Sequence, residues 1–525
     1  MSQVNGMPRV GRTPPHPALA LRAPTSAILA LWLGACSLAP TLQTPVVPTA
    51  DSYKESGPWT QAQPADRLPR DSWWTLYGNA ELDDLEKRLI QGSPTLAAAA
   101  ANYAAARALS DQARAGLFPT LGVGAGVERD RESLHAPLRG PTTPTYYDSN
   151  TVGGSVGYEL DLWGRIRNEV AAGEANAAAA AADLENARLS LIAQLVEDYV
   201  QLRSLDRDAE ILNQSVTIYT RALGLTEQRH AAGIAPGLDV AQAQTQLDAA
   251  RSQAAQTLAQ RALMEHAIAA LLGVSASTFS IAPKVVAIAL PQVPIGVPAT
   301  LLERRPDIAG AQRRMISANA NIGVARAAYF PSLTLGAQGG FQSGSVANWL
   351  SAPSSFWAIG PNALLSVFDG GLRRAQVAQA RAEFDASAAG YRSTVVGAFQ
   401  QVEDSLATLH HYRDASVDEK SAVDAAQRSV DYAMALYKQG ATGYLTVVTS
   451  QTALLQTRLE ALNLDTLQLT ASVDLIRALG GGWEEPKAYA DDHSLAAPVA
   501  DFEQHCEGGG PALRGTVDLQ TTTAP

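Results

Sequence analysis

Past residue 36 the sequence has no apolar run of the length a membrane-crossing helix needs, about 20 residues. If such a chain spans a bilayer, it does so with strands. Charge is scarce too: Asp, Glu, Lys and Arg make up 17% of the 525 residues, against about a quarter in ordinary globular chains. The net charge of -11 favours neither nucleic acid nor an anionic membrane surface, and reads as a solubility feature. There are two cysteines, Cys36 and Cys506. With Cys36 assigned to another role below, Cys506 has no partner and a disulfide framework is excluded. Enzyme chemistry is missing as well. Gly153-Gly-Ser-Val-Gly157 has the G-x-S-x-G spelling, but that motif needs a strand, a sharp turn and a helix, and Ser155 lies inside an alternating stretch. Gly122-Val-Gly-Ala-Gly126 lacks the dinucleotide spacing and the following helix. His410 and His411 adjoin, and neighbours on a helix diverge by about 100°. No HExxH or clustered Cys/His spacing occurs, so no catalytic residue, metal or cofactor is expected.

What is present begins with an export signal. Arg9, Arg12 and Arg22 precede a short apolar stretch, Ala27 to Leu33, which ends in Gly34-Ala35-Cys36. A basic region, a short apolar core and small residues form a secretory signal. The ending Leu33-Gly34-Ala35-Cys36 resembles the bacterial lipobox, which implies cleavage before Cys36 and a lipid on it. Ser37 follows, rather than the Asp that implies retention in the inner membrane. The resemblance therefore points to the outer membrane.

The rest of the chain is written twice. Phe118-Pro-Thr-Leu121 returns as Phe330-Pro-Ser-Leu333, Gln194-Leu-Val-Glu-Asp198 as Gln400-Gln-Val-Glu-Asp404, and Gly233 to Val240 as Gly440 to Val447. Three landmarks in one order, each about 210 residues on, identify a tandem duplication. The expected layout is a signal over 1–35, an extended segment over 36–80, a first repeat over 81–272, a linker over 273–297, a second repeat over 298–483 and a disordered tail over 484–525.

Each repeat reads as helix, strand, loop, strand, very long helix, tight turn, long helix. In the first, a helix over 94–117 gives way at Pro119 to a strand over 121–128, where Leu121, Val123, Ala125 and Val127 alternate with glycines. A second strand puts Val152, Val156, Tyr158, Leu160 and Leu162 on one side and Gly153, Ser155, Gly157, Glu159 and Asp161 on the other. Apolar-out, polar-in alternation of about ten residues is the mark of an outer-membrane barrel strand. The second repeat offers strands over 333–342 and 356–368. The long helices, over 165–230 and 372–439, each extend on the order of 100 Å. Val395, Phe399, Val402, Leu406 and Leu409 repeat four, three, four, three, and Leu455 to Ile476 keep that rhythm with one gap at Thr466. Such spacing predicts coiled-coil packing.

One chain supplies four strands, and transmembrane barrels begin at eight. Closure then requires several chains, each giving strands to one barrel and helices to another. The fold class is mostly α with a small β part.

These residues resemble the TolC-like outer-membrane efflux family, and more closely its NodT-type lipoprotein branch. Leu301 to Leu335, LLERRPDIAGAQRRMISANANIGVARAAYFPSLTL, carries the strongest likeness, and the two Gly-led turns match as well. The likeness runs from Trp73 to Trp483. It implies a homotrimer with a 12-strand β-barrel and a periplasmic α-barrel, lipid-anchored in the outer membrane and serving as a passive duct for small molecules. It also implies partners: a periplasmic adaptor, which would meet the turns at Gly233, Leu238, Asp239, Val240, Gly440, Tyr444, Leu445 and Val447, and an inner-membrane pump. Gly233 and Gly440 suit helix C-caps, and Leu238 and Leu445 are expected to pack where the return helices begin. Relatives carry aspartates where this chain has Thr442 and Thr449, which leaves Asp239 as the carboxylate of the tips. The lipobox and the LLERRPDI segment favour small-molecule efflux over a type I protein-secretion duct of the same fold. Four alternating strands argue against a lipid-tethered scaffold without a pore.

Overall fold

The structure, a computed structural model, describes residues 37–48, 52–55, 72–135, 137, 140–291, 293 and 304–482. The signal, Cys36, most of the extended segment, Cys506 and the tail lie outside the described residues. The chain packs as two compact units, one holding the residues up to Gln43 with Ala108–Ala175 and Met315–Ser387, the other the remainder.

The duplication is visible to the residue. The first copy opens with a short helix α1 (Ala80–Gly92). There α2 (Pro94–Ala115), β1 (Thr120–Arg131), β2 (Tyr146–Glu159), α3 (Arg165–Ala231) and α4 (Gly237–Leu271) follow in order. The second copy supplies α5 (Pro306–Ala327), β3 (Ser332–Ser343), β4 (Ser355–Leu364), α6 (Leu372–Lys438) and α7 (Tyr444–Ala478). Both α3 and α6 have 67 residues, α4 and α7 35, α2 and α5 22. None of the described helices is long and apolar enough to cross a membrane.

The first unit is built on one antiparallel sheet in the order β1-β2-β3-β4, so strands of the two copies pair directly. Register aligns the alternation across all four. Val123, Gly154, Gly339 and Trp357 form one row, and Leu121, Val156, Ala337 and Ile359 the next. The opposite face carries Gly122, Gly124, Ser155, Gly157, Gln338 and Asn362, with Phe356 and Tyr147 as aromatic exceptions. Gly153 and Gly340 pair on that face, and a Cβ on Gly340 would lie 2.1 Å from the Val152 carbonyl oxygen. Only glycine allows so close a backbone approach. The apolar face is exposed at Leu121, Val123, Trp357 and Ile359, as a lipid-facing band requires. At the end nearer the helices stand the exposed rings of Phe118, Tyr329, Phe330 and Phe368. Trp163 stacks on Phe330 at 4.7 Å and donates from Nε1 to the Pro331 carbonyl at 2.8 Å.

Three strands differ from expectation, and β1 runs on to Arg131, three residues past its expected end. β2 starts at Tyr146 and ends at Glu159, so Leu160 and Leu162 lie beyond it. The chain turns there, with Leu162 N–H donating to the Leu160 carbonyl and the Asp161 carboxylate accepting from Arg167 N–H to start α3. β4 ends at Leu364, four residues short of the expected limit, and a turn at Gly370 and Gly371 follows.

In the second unit the coiled-coil spacing is borne out. Val402, Leu406 and Leu409 of α6 and Leu469, Val473 and Ile476 of α7 share one core with Leu195, Val196, Tyr199 and Leu202 of α3, and with Leu82, Leu85 and Leu89 of α1. The break in rhythm at Thr466 is a buried polar contact, its hydroxyl 2.7 Å from Ser204 Oγ.

Candidate functional site at the helical tips

Both hairpin turns close in the same way. Gly233 (φ 71°) donates to the His230 carbonyl while Ile234 N–H reaches back to Arg229; Gly440 (φ 76°) donates to Tyr437 while Ala441 N–H reaches Leu436. This is the Schellman pair of hydrogen bonds, which ends a helix where one residue adopts positive φ. Each glycine sits in open space, so its conformation and not crowding fixes its identity. Pro236 and Gly443 then take extended dihedrals as the return helices begin.

Which side chains root these turns corrects the sequence reading. Leu238 and Leu445 do not pack: they are 65% and 57% exposed. The buried residues are Tyr444 and Val447, at 1% and 0%, with Val240 partly buried beside them. The inward stripe of α7 runs through Tyr444, Val447, Gln451 and Leu454, one residue out of phase with the leucine. Around them Tyr219, Leu223, Leu247, Tyr437 and Tyr444 make one core from four helices. Tyr437 and Tyr444 meet edge to face at 5.2 Å. Burial, with Tyr437, Tyr219 and Asp239 nearby, pushes the Tyr444 hydroxyl up to about 12. Asp239 is half-buried in the first turn of α4, where a carboxylate suits the helix dipole.

The two tips are also joined directly. The Arg229 guanidinium lies 4.8 Å over the Tyr437 ring, and its Nη1 donates to the Lys438 carbonyl at 3.3 Å. Behind Leu238 a cleft of about 620 Å³ opens between α4 and α7, lined by Ala241, Thr245, Ala249, Val448, Thr452 and Leu455. Gln242 Oε1 and both amide atoms of Gln246, in the same wall, are buried and unbonded. Buried amides without partners are costly, and Gln246 lies beside the Tyr219 hydroxyl in the tip core. The Arg229 clasp and these glutamines were missed in the sequence; the i,i+4 pair Gln242 and Gln246 was the signal available. Thr442 and Thr446, in the second tip, bond to each other at 2.9 Å.

The remaining motifs fall into structural roles. Ser155 lies mid-strand, paired with Gly122 and Gln338. The Gln194–Asp198 and Gln400–Asp404 bonds repeat in α3 and α6. Glu197 stands 3.9 Å from Arg477, whereas Glu403 accepts the Lys54 and Glu55 amides. The rings of His410 and His411, expected to diverge, meet at 5.2 Å, because rotation about the side-chain bonds offsets the backbone angle. Among the described residues no group of three or more metal-binding side chains forms.

A buried root, an exposed leucine at each turn and a membrane sheet describe a duct component, and known proteins agree. The model of the outer membrane efflux protein family matches residues 85–274 and 297–481. Outer membrane protein OprJ of Pseudomonas aeruginosa is 31% identical over 470 residues, 88% of this chain and 96% of that protein. The solvent efflux pump outer membrane protein SrpC of Pseudomonas putida is 33% identical over 461 residues, 86% and 97% of the two chains. The outer-membrane channel OprN superposes with a TM-score of 0.79 at 29% identity, covering 85% of this chain and all of that one. The Campylobacter jejuni CmeC channel, at 22% identity, shares the fold with a TM-score of 0.82 over 89% and 98%. The chain belongs to the outer membrane efflux protein family and is an efflux channel of the Gram-negative outer membrane.

Proposed function

We propose that the chain forms the outer-membrane duct of a tripartite RND-type efflux system, as a homotrimer whose tips engage a periplasmic adaptor coupled to an inner-membrane pump, and that its cargo is small molecules. The observation that carries this reading is the pair of exposed leucines, Leu238 and Leu445, held on turns whose own roots are buried. Exposed apolar side chains on a rigid frame are what a docking partner covers. Trimerisation is supported by the sheet, in which β1 and β4 each have one free edge. Three such sheets make the twelve strands that four alone cannot close. Export needs no chemistry from this chain; the adaptor shifts the tips by binding one arrangement better than the other.

Lipid attachment at Cys36 belongs to the same reading. Its support is that the residues just after it are held in the sheet-containing unit. Ser37 Oγ donates to Asn168 Oδ1 at 3.0 Å, Asn319 Nδ2 to the Pro40 carbonyl at 2.9 Å, and Arg326 Nη1 to the Leu38 carbonyl at 3.1 Å. Residues 81–272 and 298–483 are proposed as the duplicated units, with 273–297 joining them.

The test is in-cell photo-crosslinking from Asp239 and Thr446, with mass spectrometry of the products. A periplasmic adaptor is expected at both positions, with capture reduced at least several-fold by Leu238→Ala together with Leu445→Ala. No adaptor at either tip, from assembled protein in the outer membrane, would sink the tripartite reading.

A further inference from the structure

The end of the sheet farther from the helices carries charge on the face that is otherwise apolar. Along β1 the residues Leu121, Val123, Ala125 and Val127 share the lipid-facing side, and the next two positions on that side are Arg129 and Arg131. Glu128 and Asp130 turn to the other face. Arg129 stands opposite Asp148, its Nε 3.9 Å from Oδ1 and its side chain 76% exposed. Arg131 stands opposite Tyr146, with its guanidinium 5.7 Å from the ring centre. Asp148 thus holds Arg129 loosely while Arg131 rests on an aromatic ring, and this end of the lipid-facing side sets two guanidiniums against one carboxylate.

Depth places this charge. At about 3.4 Å per residue and a tilt of 35–45°, a strand of this length rises about 30 Å. The apolar band of a barrel is about 25 Å tall, so the last residues of β1 emerge at headgroup level. The exposed ring of Tyr146 is the aromatic that marks such an interface. Because the helices are periplasmic in this family of channels, this end of the sheet lies at the external leaflet.

We propose that Arg129 and Arg131 form a binding surface for the phosphate groups of the outer-leaflet glycolipid. Phosphate matches the planar fork of a guanidinium, which donates two parallel hydrogen bonds where an ammonium donates to a point. The acyl chains of the same lipid lie along Val123 and Val127. Asp148 competes with the phosphate for Arg129 and so sets the strength of the contact. Each trimer carries three such surfaces.

The experiment is native mass spectrometry of the full-length assembled protein in detergent, titrated with bisphosphorylated hexa-acyl lipid A and separately with its dephosphorylated form. Wild-type protein is expected to prefer the phosphorylated lipid about thirtyfold, the scale of two basic residues at an anionic surface. Arg129→Gln with Arg131→Gln should reduce that preference to within about twofold while binding of the dephosphorylated lipid stays unchanged. Asp148→Asn, which removes no cation, should strengthen binding of the phosphorylated lipid several-fold. It decides the matter if the double variant fails to assemble. Equal binding of the two lipids by wild type, an undiminished preference in the double variant, or no gain in Asp148→Asn would overturn the proposal.

Discussion

Glu403 of α6 accepts the backbone amides of Lys54 and Glu55 at 2.8 and 3.0 Å, one on each carboxylate oxygen. Glu197 holds the same place in α3, as the matching Gln–Asp bonds on either side show, yet its Oε1 is buried with no hydrogen-bond partner among the described residues. The same asymmetry recurs two turns along. Arg203 and Asp206 of the first copy are buried ions, whereas the second copy has Leu409 and Tyr412 at those places. Duplication copied the helices and turns, but among the described residues different segments lie against the two copies. Residues 53–55 meet the second copy, and the linker at 281–284 meets the first. Each long helix therefore carries anchors suited to the segment that meets it.

The largest effect should come from the anchor that only the first copy has. Asp206, 2% exposed, accepts from Arg203 Nη1 and Arg261 Nε at 2.6 Å each and from Lys284 N–H at 3.1 Å. The guanidiniums in turn donate to the carbonyls of Ala282 and Ile281. Asp206→Ala removes the carboxylate that two buried cations share and leaves each with one other partner, Glu81 for Arg203 and Glu265 for Arg261, so the cost falls at the lower end of the range for a broken buried pair, about 3 kcal/mol. Urea unfolding of the purified protein should show a clearly lowered midpoint, and hydrogen exchange at 281–284 should accelerate. Tyr412→Ala at the matching place has no such ions to strand. An equal loss from both substitutions would break the comparison.

Glu403→Gln probes the second anchor on a smaller scale. One of two amides would then face an NH2 group in place of an oxygen, costing about 1–3 kcal/mol for a charge-assisted contact. Amide exchange at Lys54 and Glu55 is the direct readout, and unchanged protection there would show that the segment is held by Tyr53 burial alone.

Much of this architecture was legible because it is periodic. Helix lengths followed from the absence of proline between Arg165 and Ala231, and the strands from strict alternation at Leu121 to Val127. The start of β2 was hidden because Asp148, Ser149 and Asn150 are polar on both faces and follow a loop rich in proline and threonine. At the tips the sequence offered two apolar phases, Leu238 with Leu445 and Val240 with Val447. Local pattern could not choose between them; packing of four helices did, through Tyr444 and Tyr437. The ion cluster was illegible for a related reason, since Arg203, Asp206, Arg261 and residues 281–284 come from three segments that only the fold unites.

Glu197→Gln should have the smallest effect and the opposite sign. Burial, with Asp474 and Asp198 nearby and only partly offset by Arg477, raises the Glu197 carboxyl from 4.5 to about 7. Between those values the folded chain binds more protons than the unfolded one, so this group's contribution falls as pH rises from 4.5 through 7 and is unfavourable above it. Glutamine carries no charge to desolvate. Glu197→Gln should therefore raise the unfolding midpoint relative to wild type at pH 8, with the gain shrinking as pH falls and gone near pH 4.5. Glu403→Gln should lower the midpoint at pH 8, because it removes an acceptor that is in use. A matching loss from both glutamines at pH 8 would mean that Glu197 has a partner of its own in the assembled channel, and that the two copies are anchored alike after all.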